Sequence, residues 1–93
     1  SDPSVQAAPI VQLGEITRSA AGYEVAVEVR NVGGLTASEV RVRAELTIDG
    51  EATEADQTID FLAGDDAEHL TYVFSDDPAE GELVVEVTGY STP

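Results

Sequence analysis

Residues 23–30, YEVAVEVR, decide how the rest of the chain is read: Tyr23, Val25, Val27 and Val29 alternate strictly with Glu24, Ala26, Glu28 and Arg30. Side chains on a β-strand leave the backbone on opposite faces in turn, so a period of two with valines on one side and charges on the other marks a strand with one dry face and one wet face. The run ends at Asn31-Val32-Gly33-Gly34, where Asn and the two glycines offer the positive-φ positions that a tight reversal uses.

The same pattern returns downstream. Val40, Val42, Ala44, Leu46 and Ile48 point one way and Arg41, Arg43, Glu45, Thr47 and Asp49 the other, and Asp49-Gly50 is a hairpin signal. Residues 51–58, EATEADQT, contain good helix formers but no apolar stripe at helical spacing, so 52–61 reads as a strand that is firm at Ile59 and Phe61. Leu70, Tyr72 and Phe74 supply the next inward face, with Val73 half covered, and Leu83, Val85 and Val87 the last. Upstream, Ile10, Val11, Leu13 and Ile16 suggest a first strand interrupted at Gly14, the place for a bulge or a change of sheet. The spacing of turns predicts an all-β fold, a seven-stranded antiparallel β-sandwich of immunoglobulin-like kind, with a closed barrel as the weaker alternative. Residues 1–8 read as a flexible lead-in and 9–93 as the single domain, whose core takes in Tyr23, Tyr72, Phe61 and Phe74, with Tyr90 on the surface.

Charge describes the surroundings. Nineteen acidic residues face four basic ones, all arginine, for a net charge of −15 across 93 residues. The Debye length is about 10 Å at 0.1 M salt and about 3 Å at 1 M, so carboxylates that repel in dilute buffer are nearly independent in brine. Absent lysine removes long aliphatic stems from the surface, and the composition fits a halophilic origin. Phosphates would meet a like-charged surface, which argues against nucleic acid and against direct binding to anionic lipid. Like charges along exposed edges also oppose self-pairing at low salt, and a monomer in isolation is expected. There is no cysteine, hence neither a disulfide nor a thiolate metal site.

Chemistry is hard to assemble from what remains. His69 is the single histidine; a Ser-His-Asp arrangement with Ser38 or Ser75 lacks a nucleophile turn, and a solvated edge position beside Glu68 and Asp66 is the simpler reading. The acidic clusters Asp65-Asp66-Glu68 and Asp76-Asp77-Glu80 could attract calcium or magnesium weakly through oxygen ligands, though neither has EF-hand spacing. Asp77-Pro78 reads as a turn in which proline fixes φ and the aspartate accepts from backbone amides. No catalytic residues and no cofactor are expected.

The tract Val27–Ile48, VEVRNVGGLTASEVRVRAELTI, resembles the strand-turn-strand of bacterial Ig-like modules of the CARDB type. Combined with Asp60, Leu62 and Gly64, with Asp77, Pro78 and Gly81, and with Gly89 and Tyr90, it resembles an uncharacterised prokaryotic family that joins one N-terminal transmembrane helix to a single β-domain. Asn31, Gly33 and Gly34 are the corresponding positions of the first turn. The resemblance implies an extracytoplasmic domain tethered by a segment preceding Ser1, with a multi-span membrane protein encoded nearby as its partner. The family commonly has Leu-Pro-Gly where this chain has Leu62-Ala63-Gly64, and basic residues where it has Asp65, Asp66 and Ala79. Those departures remove cations. The resemblance carries no catalytic residues.

Overall fold

The computed structural model describes residues 6–93, folded as β1 (Pro9–Ser19), β2 (Gly22–Asn31), β3 (Ala37–Ile48), β4 (Glu51–Leu62), β5 (Ala67–Phe74) and β6 (Glu82–Ser91), with one 3-10 turn at Pro78–Glu80 before β6. Two three-stranded antiparallel sheets form, ordered β1-β2-β5 and β4-β3-β6. The valines of β2 and β3 face each other at the centre: Val25, Val27, Val29, Val40, Val42 and Ala44 are fully buried. Tyr72 closes the core from β5, where its hydroxyl donates to the Val42 carbonyl at 2.6 Å. Burial raises that phenol to about 12, above its ordinary value.

Six strands form rather than the expected seven, because Gly14 does not divide the first run. It sits in a bulge between Leu13, paired with Val27, and Ile16, paired with Val25, so Gly14 and Glu15 together oppose Ala26 and one strand continues through. A second irregularity corrects the expected core. Glu39 has φ 48, and across it the inward residue of β3 changes from Ala37 to Val40, an odd to an even position. The partner strand follows: Ile59 and Leu62 are buried, whereas Phe61, expected inside by alternation with Ile59, is 68% exposed.

The turn after β2 also differs from its sequence reading. Neither Gly33 nor Gly34 has positive φ; that geometry belongs to Asp49-Gly50, at φ 51 and 81, as the hairpin signal expects. Gly33 is required instead by close approach, since a Cβ there would collide with the Gln6 carbonyl. Of the lead-in expected over 1–8, residues 1–5 lie outside the described residues. Residues 6–8 are held: Ala7 is buried, and the amides of Val32 and Leu35 donate to the Ala8 and Gln6 carbonyls.

Candidate functional site

Most of the motif positions gather at one end of the sandwich, around the fully buried Asn31. Its Oδ1 accepts from the amides of Ala8 (2.9 Å) and Gly33 (3.0 Å). Its Nδ2 donates to the carbonyls of Leu35 (2.7 Å) and Leu62 (3.0 Å). Its own backbone takes part as well, the amide donating to Asp66 and the carbonyl accepting from Asp65. One side chain therefore joins the N-terminal segment, the β2–β3 loop and the end of β4. A buried amide with every polar atom paired avoids the desolvation cost that an orphaned group would carry. Among the described residues no buried side-chain polar atom lacks a partner.

The neighbouring motif residues serve the same closure. Gly64 admits the Gly34 carbonyl where a Cβ would clash, and Leu62 fills the core beneath it. Tyr90, half exposed at 43%, donates from its hydroxyl to the Ala7 carbonyl at 3.3 Å, so the surface position expected for it coexists with an anchoring role. At the opposite end Asp77 accepts from the Ala79 amide at 2.9 Å, Pro78 is buried, and Gly81 lies against the Thr47 carbonyl. Gly89 makes room for the Arg41 guanidinium. Asp60 is exposed on β4. The motif is thus largely a set of fasteners, which short-range sequence signals of turn and glycine indicated without revealing that they meet in space.

The acidic candidates do not converge. Asp65 and Asp66 lie in the β4–β5 loop at the Asn31 end and Glu68 on β5, while Asp76 and Asp77 occupy the β5–β6 loop at the other end. Asp66 Oδ1 accepts from the Ala67 amide, a local cap like that of Asp77. Among the described residues no three metal-ligating side chains gather as a coordination set. At the end where Asp76 lies, Asp49, Glu51, Asp76 and Glu80 line a recess of 270 Å³ without forming such a set. His69 is a solvated edge residue, its side chain 80% exposed and its Nε2 4.0 Å from Glu28. Ser38 sits on the other sheet and donates to the Ser91 carbonyl.

All four arginines are engaged within the chain. Arg43 on the outer face of β3 makes a paired contact with Asp56 (2.8 and 3.2 Å) and a longer one with Glu54 (3.5 Å). The hydrogen bond to Arg43 holds the Asp56 carboxyl below its usual range, while one to Glu54, directly opposite in register, raises that of Glu45. Arg30 meets Glu28 at 3.3 Å, Arg18 lies over the Tyr23 ring at 5.8 Å, and Arg41 donates to the Glu39 carbonyl.

Uncovered apolar side chains have a different distribution. Exposed apolar side chains are scattered over both sheets and the β2–β3 loop, Phe61, Val73, Val84 and Leu35 among them, but Leu13 and Ile16 of β1 stand together on the flank where β1 and β6 approach each other. Between Leu13, Ile16 and Tyr23 on one sheet and Leu83 with Pro78 on the other runs a groove of about 400 Å³. Nothing in the sequence pattern marked this place, because which strands become neighbours across a sandwich is set by topology. No protein-family model matches the chain, and no curated protein or solved structure is significantly similar to it.

Proposed function

We propose that this is a non-enzymatic, extracytoplasmic interaction module of a membrane-anchored protein, with an acidic surface suited to high salt and an immunoglobulin-like topology. The observation that carries the reading is the apolar groove between β1 and β6, where Leu13 and Ile16 stay half exposed beside Leu83 in a molecule of net charge −15. Exposed apolar clusters rimmed by charge are places where proteins meet other proteins. The topology is supported by chain crossings between the two sheets after β2, β4 and β5, as in immunoglobulin-like sandwiches. The membrane tether and its multi-span partner rest on the resemblance of Val27–Ile48 and the positions around Leu62-Ala63-Gly64, Asp77-Pro78 and Gly89-Tyr90.

A spacer role fits less well. Ala7 and Tyr90 touch, so the described chain enters and leaves at one end of the sandwich, whereas repeats strung end to end call for opposite ends. A cation-binding accessory role would need acidic side chains gathered as a coordination set, and among the described residues no three are, even in the recess lined by Asp49, Glu51, Asp76 and Glu80. The test is co-purification, in molar NaCl, of the gene's full product with the multi-span membrane protein encoded beside it. Specific retention supports the module; retention of neither that protein nor any other envelope protein contradicts it, and a saturable calcium isotherm at one site would favour the accessory role.

A further inference from the structure

We infer that the free edge of β6 between Glu82 and Val87 is a docking site for an extended strand of a partner protein, one that alternates apolar with cationic residues. The inference rests on the interaction-module reading and names its surface. Among the described residues β6 pairs with β3 alone, leaving its second edge without a strand neighbour. The other three edges are blunted in ways that discourage strand addition. β1 is bulged at Gly14–Glu15; the β4 carboxylates Glu54 and Asp56 are already taken up by Arg43; the Thr71 carbonyl of β5 is capped by Gln57 at 2.8 Å. From Glu82 to Val87 the β3–β6 register runs without a shift, and the segment contains no proline, cation or bulge.

Geometry says what the incoming strand must present. On its inner side it would lie over the groove of about 400 Å³ walled by Leu13 and Ile16, 47% and 42% exposed, so alternate residues must be apolar. On its outer side it would stand beside Glu82, Val84 and Glu86, where the intervening residues meet two carboxylates four positions apart. Asp77 adds a third charge at the mouth of the groove, whose one cation, Arg18, already lies over Tyr23. Charge complementarity therefore selects lysine or arginine at those positions. A second copy of this chain is a poorer match: it brings a net charge of −15, and its own β6 offers glutamate where a cation is wanted.

The test titrates the 93-residue chain with a peptide of about eight residues alternating valine and lysine, long enough to span Glu82–Val87. Controls are a peptide of the same composition with valines and lysines in separate blocks and one alternating valine and glutamate. Backbone amide spectra locate the contact. We expect shifts confined to Glu82–Val87 and to Leu13–Ile16, with the two control peptides and the L13S/I16S variant binding at least about tenfold more weakly. Both substituted positions are about half exposed, so the fold should tolerate them; E82Q/E86Q provides an independent variant, weaker by about threefold in dilute buffer and indistinguishable in 1 M NaCl. Equal binding of the block or acidic peptide, or shifts spread over the surface, would overturn the inference. Protein-concentration-dependent dimerisation protecting β6 without peptide would overturn it in favour of a second copy. Co-purification of the membrane partner through another face would sink this site while leaving the interaction-module reading intact.

Discussion

The Asn31 end and the β1/β6 flank solve opposite problems with the same materials. At the Asn31 end, strand endings that would expose backbone groups are drawn around one amide side chain, with glycines where carbonyls must approach. Along the flank, Leu13 and Ile16 of edge strand β1 are left half exposed, and among the described residues no strand pairs with the second edge of β6. The contrast teaches that closure in so small a sandwich comes from local polar fasteners, whereas the apolar core alone, two central strands wide, leaves its margins unsealed.

The largest way to break the contrast is Asn31→Ala. It would leave two amides and two carbonyls without their partner, the Gly33 amide and the Leu62 carbonyl buried and the other two partly buried, each worth up to about 1–3 kcal/mol when unpaired, and we expect a loss of about 4 kcal/mol in denaturant titrations run in molar NaCl. Gly33→Ala, which forces the chain away from the Gln6 carbonyl, should cost about 2 kcal/mol by the same assay and abolish amide protection at Ala8. By comparison, Ile16→Ser on the flank should cost under about 1 kcal/mol, since its side chain is already half in water. An equal cost at the two regions would erase the distinction.

Titration sharpens it further. Tyr72 is held up to about 12 by burial, so the folded protein keeps its proton where an unfolded tyrosine would lose it. The stabilisation is complete below about pH 10 and disappears as pH rises through the folded value, visible as phenolate absorbance that appears together with unfolding. Tyr72→Phe should remove about 1 kcal/mol at neutral pH and flatten that alkaline decline. The smallest effects belong to the exposed carboxylates. Glu45, raised chiefly by its hydrogen bond with Glu54, adds stability as pH falls through its folded value; Asp56, lowered chiefly by Arg43, loses it as pH falls through its own. Because both groups are solvated, melting curves of E45Q, which relieves the repulsion with Glu54 and leaves the Arg43–Glu54 contact in place, should show a slight rise in dilute buffer that vanishes in molar NaCl.

The strands around 23–30 and 40–48 were legible because alternation maps directly onto burial. Phe61 was not, since the face of a strand can switch at one residue with positive φ, and Glu39 carries no signal of that in its side chain. The strand count went astray because a glycine that bulges a strand looks the same in sequence as one that ends it. Asn31, Gly33 and Gly64 stood out as turn residues. Their meeting in space, with Ala8 and Leu62, depends on loops 31 residues apart and has no local signature. The β6 edge was least legible of all, because a strand becomes an edge through the neighbours it fails to acquire.

Hydrogen exchange, read residue by residue in about 2 M NaCl where carboxylate repulsion is screened, tests the contrast most directly. The account expects the amides of Ala8, Gly33 and Asp65 to exchange only through near-global unfolding, while outward-facing amides between Glu82 and Val87 exchange orders of magnitude faster. Rapid exchange at Ala8 and Gly33, or uniform protection along β6, would contradict it.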